Sequence, residues 1–297
     1  MKSFDELIRK VEQAERKTVA VIAADEHSIE AALEGQKRGL VHPVFTGDRD
    51  SIERTLKALG AEGDYEILDA ENLEEAAEKG VRLVSEGGAQ MILKGAIDTP
   101  ILLRAVLNKE WGLGTGNILS HIALMEVPTY HKLFIITDGG MIPYPDLEKK
   151  KIILESAVKA MHSLGVASPK VACLAAVEKA SEKLPETMDA KALKEMNEQD
   201  EIQGCVVEGP ISFDLAFDKD AAGLKHYVSP VAGDADIFLV PDFVVGNILS
   251  KSMIYAGKAK MAGMVVGAKV PILLTSRASS AEEKFLSLAL AAAMEDQ

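Results

Sequence analysis

Five short stretches place glycine or polar residues directly after an apolar run: Lys94-Gly95-Ala96, Asp138-Gly139-Gly140, Glu208-Gly209-Pro210, Pro241-Asp242 and Thr275-Ser276-Arg277. Ligands of open α/β sheets collect at the carboxyl ends of strands, so these are the places where chemistry is expected. VPILLTSRASSAEE reads as a strand ending at Thr275, a turn holding Ser276 and Arg277, and a helix opening near Ser279 or Ser280. The free N–H groups and positive dipole end of a helix favour an anion. Arg277 adds a permanent cation whose fork matches phosphate or carboxylate. Ser279 with Glu282, and Ser280 with Glu283, both have capping-box spacing, so each glutamate is either a cap or a chemical group.

A second candidate lies in LKGAIDTPILLRAVLNK. Lys94 ends a strand, Gly95 lets a backbone or ligand approach closely, and a helix capped by Asp98 or Thr99 carries Arg104. Lys94 and Arg104 are read as anion ligands. In SPVAGDADIFLVPDFVVGNILSK, Asp242 sits on a strand-to-helix turn and Asn247 and Lys251 follow on the helix. Asp234 and Asp236 precede that strand and so lie at its opposite end from Asp242, which argues against a shared metal. GLGTGN, residues 112–117, follows a helix rather than a strand and reads as a loop, not a dinucleotide site. Ser120 and His121 come directly after it and are candidates to line a substrate cleft.

These residues need elements to position them. Apolar runs near 18–24, 41–45, 65–68, 90–94, 133–137, 171–176, 205–208, 237–240, 264–266 and 272–275 read as strands. Helical patterns alternate with them at 28–39, 51–59, 73–86, 99–107, 147–164 and 281–294. Strands that read as continuous apolar runs between helices imply largely parallel, helix-covered sheets and an α/β fold. At 297 residues the length suits one large or two moderate domains. The double-proline segment 141–151 and the region near Gly263 are the candidate crossings. They would make a first domain of 1–140 plus 264–297 and an inserted domain of 141–263.

Hydrophobic residues make up 47% of the chain and aromatics only 5%, which implies an aliphatic core. The net charge of -13 excludes a basic nucleic-acid surface. An anionic ligand would therefore need a locally positive pocket. Cys173 and Cys205 lie in apolar runs and read as buried thiols. The N-terminal MKSFDELIRKVEQAERK reads as a charged amphipathic helix rather than a signal peptide, and no apolar stretch reaches membrane-span length, so a cytoplasmic protein is expected.

Taken together, MILKGAIDTPILLRAVLNKE, ILSHIALME, FIITDGG, PDLEKKKIILESAVKA, GCVVEGPISFDLAF, SPVAGDADIFLVPDFVVGNILSK and VPILLTSRASS resemble the phosphate acetyltransferase / phosphate butyryltransferase family, and more closely its butyryl branch. The resemblance implies reversible transfer of a short acyl group between coenzyme A and inorganic phosphate, with CoA as substrate and no further cofactor. It also implies two α/β domains of the isocitrate/isopropylmalate dehydrogenase-like kind, an interdomain cleft and a homo-oligomer. The family's serine-arginine pair falls on Ser276 and Arg277, and its other arginine on Arg104. Its acetyl branch carries an aspartate base seven positions after the serine, where this chain has Glu283. The butyryl branch often has an acid at the Glu282 position, so either glutamate is a candidate base. Two other readings stand beside this one: a metal- and NAD(P)-dependent decarboxylating dehydrogenase of similar fold, and a non-catalytic acyl-CoA-binding protein.

Overall fold

A computed structural model describes residues 1–61, 63, 65–275 and 279–295. Two compact units divide the chain, one formed by 4–117 with 262–297 and the other by 1–3 with 118–261.

The unit holding most of both chain ends opens with α1 (Phe4–Val11), β1 (Lys17–Ile22), α2 (Glu26–Lys37), β2 (Val41–Gly47), α3 (Arg49–Ala58) and β3 (Glu66–Asp69). α4 (Leu73–Ser85), β4 (Met91–Lys94) and α5 (Thr99–Val106) follow. The other unit contains β5 (Ser120–Glu126), β6 (Phe134–Thr137), α6 (Leu147–Ser163), β7 (Lys170–Leu174), α7 (Pro185–Glu198) and β8 (Val206–Ile211). It continues through α8 (Phe213–Phe217), α9 (Lys219–Leu224), β9 (Ile237–Leu239) and α10 (Phe243–Tyr255). β10 (Lys260–Val266) returns the chain to the first unit, which ends with β11 (Ile272–Leu273) and α11 (Ala281–Ala292).

In the first unit the strand order is β3-β2-β1-β4-β11-β10, parallel except for the β11–β10 pair. Ile92 and Leu93 of β4 lie beside Ile272 and Leu273 of β11, so the residues after both strands emerge at one edge. All four residues of β4 are buried, as a strand covered by helices on both faces requires. α11 is apolar almost all round, with Lys284–Ala292 buried, and it packs against α2 and α1. Gly35 of α2 lies between β2 and α11: a Cβ there would stand 2.8 Å from Val41 Cγ2 and 3.7 Å from Leu288 Cδ1.

The second unit orders its strands β5-β6-β9-β7-β8, parallel except for β5–β6. The first crossing between units falls between residues 117 and 118, where the sequence places it in 141–151. The strand pairs explain the difference. β6 is hydrogen-bonded both to β5 and to β9, which binds 120–137 to the second unit's sheet. β5 itself is not among the expected strands, because its opening Ser-His dipeptide breaks the apolar run.

The second unit adds an aromatic cluster to a core that is otherwise mostly aliphatic. Tyr130, Phe134, Phe213, Phe217 and Phe238 share one core there, with ring centroids 4.6 Å apart for Tyr130–Phe217 and 4.9 Å for Phe134–Phe238.

One backbone contact shapes the second unit's carboxyl edge. The turn after β6 meets α10 through glycines: a Cβ on Gly246 would stand 2.7 Å from Gly139 Cα and 2.9 Å from Val240 Cγ2. Neither neighbour is the end of a flexible chain. Gly246→Ala is therefore expected to destabilise the protein by about 1–3 kcal/mol, read as a lower urea midpoint at unchanged slope.

Candidate active site

Lys94 is 4% exposed at the end of β4, although nothing in the apolar run before it asks for a charge. Its Nζ donates to the carbonyl of Gly95 at 3.3 Å. Gly95 is required by close approach, since an added Cβ would stand 2.1 Å from the Ala23 carbonyl oxygen. The backbone there zips to β1, with Gly95 N donating to Ile22 O at 2.9 Å and Ala96 N to Ala23 O at 2.7 Å.

A second lysine meets this turn from the other side. Lys284, in the first turn of α11 and also 4% exposed, donates to the Lys94 carbonyl at 3.2 Å and to Thr275 Oγ1 at 3.0 Å. Burial pushes its pKa down, against the opposing pull of Asp25 and Glu283. Sequence reasoning missed Lys284, because a lysine after two glutamates in a helical first turn reads as solvated surface. Its only signal was the otherwise apolar helix that it begins.

The two glutamates separate clearly. Ser280 is the N-cap of α11, accepting from Glu283 N at 3.2 Å. The Glu283 carboxylate does not close the reciprocal half of a capping box on Ser280. Instead it accepts the Ser279 hydroxyl at 2.6 Å. Glu283 is half-buried, and desolvation raises its pKa even though the Ser279 hydrogen bond and the Lys284 charge lower it. Glu282 is exposed. Ser276 and Arg277 lie outside the described residues.

Arg104 is exposed on α5. It lines a groove with Glu74, Ala77 and Glu78 of α4 and with Trp111, so two carboxylates from a neighbouring helix share its surroundings. Lys94, Gly95, Thr275 and Glu283 are thus gathered at one strand edge of the first unit, while Arg104 faces the α4–α5 groove.

Ser120, His121, Asp242 and Asn247 belong to the second unit. Asp242 is the N-cap of α10, its side chain accepting from Val245 N at 2.9 Å, which accounts for its residue type without a ligand. Asn247 Nδ2 donates to the Gly139 carbonyl at 3.4 Å. Ser120 is fully buried at the start of β5. The His121 carbonyl accepts from Thr137 Oγ1 at 2.8 Å, and burial lowers the imidazole pKa against the opposing charge of Asp138. Lys251 is exposed.

Asp234 and Asp236 do lie before β9. Asp236 accepts from Lys132, and Asp234 accepts from Lys132, Lys170 and His131, so both carboxylates are neutralised by local cations. Both cysteines are free thiols. Burial pushes Cys173 well above the ordinary range and Cys205 to about 11. Neither is therefore a thiolate at neutral pH. Among the described residues no group of three metal-ligating side chains is gathered, and no helix is long and apolar enough to cross a membrane.

Helix-covered, largely parallel sheets, with two buried lysines and a half-buried glutamate of raised pKa near one strand edge, define the α/β class of the protein. Residues 66–292 match the family described as Phosphate acetyl/butaryl transferase, and the chain belongs to that family. It is 42% identical to a phosphate butyryltransferase of Clostridium acetobutylicum, over 98% of both chains. A phosphate acetyltransferase of Thermotoga maritima is 38% identical over 97% of this chain and 99% of its own. The crystal structure of a branched-chain phosphotransacylase from Enterococcus faecalis V583 superposes with a TM-score of 0.83 at 32% identity, covering 95% of this chain and 100% of that one.

Among the described residues, the Ser279 hydroxyl is the neighbour whose hydrogen bond holds the Glu283 pKa down. Ser279→Ala is expected to raise that pKa further, measured by carbon-13 carboxyl NMR titration. An unchanged value would mean that the hydroxyl does not engage the carboxylate in solution.

Proposed function

We propose that this protein is a phosphate acyltransferase that moves a short-chain acyl group, butyryl or one of similar length, reversibly between coenzyme A and inorganic phosphate. The near full-length likeness to proteins whose names specify this reaction carries the reading. Its products are acyl phosphate and free CoA, formed by direct attack while both substrates are held together. The isocitrate/isopropylmalate dehydrogenase-like architecture, a cytoplasmic location and a homo-oligomer belong to the same reading. The exposed apolar side chains Val244, Ile248 and Tyr255 along α10 support an association between copies.

In the direction that forms acyl-CoA, a thiol of ordinary pKa about 8.5 is mostly protonated at neutral pH and must lose its proton as it attacks the acyl carbonyl. Glu283 is our base. It is half-buried, burial raises its pKa, and it lies seven residues after Ser276 in the sequence. Glu282 is exposed to water. Negative charge then builds on the carbonyl oxygen and the departing phosphate, where fixed cations and donors lower the barrier. Arg277 takes the phosphate and Ser276 bonds the reacting group, while Arg104, exposed in the α4–α5 groove beside Glu74 and Glu78, is left out of that assignment. Buried Lys94 and Lys284 make the strand edge positive in a chain of net charge -13. No covalent enzyme intermediate is needed when both substrates react in place.

Three outcomes follow in a phosphate-dependent assay of thiol release from acyl-CoA. Arg277→Ala loses most activity at subsaturating phosphate; near-normal kinetics would remove it from the site. Glu283→Gln lowers turnover about 10²–10⁴-fold while Glu282→Gln retains it, and the reverse pattern would reassign the base. In the thiol-attack direction, Glu283 acts only when ionised. Turnover should therefore fall as pH drops through its pKa, placing the acid limb above the ordinary glutamate value of 4.5. NAD(P) reduction, or CoA binding without phosphate-dependent turnover, would contradict the reaction itself.

A further inference from the structure

Lys284 stands where two physical effects oppose a lysine. It is buried at the head of a helix whose following residues, Phe285 to Ala292, are all buried as well, and an ammonium taken out of water is costly. It also lies four residues after the Ser280 N-cap, in the turn where the helix dipole disfavours a cation. A methionine of similar length would carry neither cost.

Both of its hydrogen bonds leave the helix. Nζ donates to the Lys94 carbonyl at 3.2 Å and to Thr275 Oγ1 at 3.0 Å. Lys94 ends β4, and Thr275 follows β11 by two residues. One nitrogen therefore clamps the outlets of two neighbouring parallel strands to the first turn of α11. Glu283 is the residue before it, and its carboxylate accepts the Ser279 hydroxyl within that same turn. The charged groups that act on Lys284 are Asp25, the N-cap of α2, and Glu283 itself. In return the lysine charge favours the ionised form of Glu283, against the desolvation that raises its pKa.

We propose that Lys284 is a positioning residue for the acyl transfer, holding the first turn of α11 and with it the Glu283 carboxylate against the ends of β4 and β11. It works through the protein and not on the substrate. This inference rests on the reading of Glu283 as the base. Two consequences set it apart from a lysine that only supports the fold. Loss of the charge raises the Glu283 pKa, and because Glu283 acts ionised in the thiol-attack direction, the acid limb of turnover moves to higher pH. Loss of the Thr275 hydroxyl alone loosens the clamp but leaves the charge in place, so turnover falls without a change in titration.

Lys284→Met, Thr275→Val and Thr275→Ser in the full-length protein test it, by turnover across pH and by carbon-13 carboxyl titration, with Glu283→Gln identifying the resonance. Lys284→Met should lower kcat about tenfold to 10²-fold and move both the acid limb and the Glu283 titration to higher pH. Thr275→Val should lower kcat with limb and titration in place, and Thr275→Ser should recover most of the loss. Circular dichroism and melting establish that each variant is folded; where Lys284→Met is not, the two Thr275 variants carry the test. A lowered melting temperature with kcat, limb and titration all unchanged would overturn the proposal, because the lysine would then only support the fold. A loss of kcat in Lys284→Met with an unmoved Glu283 titration would overturn it too, since the lysine would then act on something other than Glu283. Full turnover in Thr275→Val would remove the clamp. Turnover of the unmodified protein is scored separately. If it shows no dependence on phosphate, the reaction assignment fails, while the carboxyl titration still decides whether Lys284 governs Glu283.

Discussion

Parallel pairing of β4 with β11 is the constraint on which the first unit's chemistry depends. Ile92 and Leu93 beside Ile272 and Leu273 bring residues that are far apart in sequence to one strand edge. Lys284 then ties the edge together by donating to the Lys94 carbonyl and to Thr275. A lysine buried in this way is costly unless its donors are used, so the two hydrogen bonds fix where α11 begins. Glu283 is the adjacent residue, and its half-buried setting follows from that anchoring. The raised proton affinity of the glutamate is thus a consequence of the fold and not of a local sequence signal.

Glycine does comparable work at both edges. Gly95 admits the Ala23 carbonyl, while Gly139 and Gly246 let the β6 turn and α10 touch backbone to backbone. Each removes a side chain at the place where a strand hands over to a helix, and ligands of open sheets collect at such places. The second unit's turn also holds Asp138 rigidly through two backbone N–H groups.

Much of the α/β alternation was legible because buried parallel strands are continuous apolar runs and the helices between them carry their own caps. Asp25, Asp48, Asn72, Asp146 and Asp242 each cap a helix with a side-chain acceptor. β5 was not legible: it opens Ser-His, and only its antiparallel pairing with β6 makes a strand of it. The same non-local pairing moves the first crossing to 117–118. Lys94 and Gly95 could be read as a site from a charge after an apolar strand. Lys284 could not, because burial and contacts across the chain create its properties. The two glutamates were equivalent as letters and become different only when Ser280 takes the cap and Ser279 takes the Glu283 carboxylate.

The central claim is that the acyl group passes to phosphate and not to water. Phosphorus-31 NMR of the purified protein with butyryl-CoA and inorganic phosphate tests it most directly. The account predicts one acyl phosphate formed for each thiol released, and no thiol release when phosphate is left out. Thiol release that yields only free butyrate, at a rate indifferent to phosphate, would contradict it.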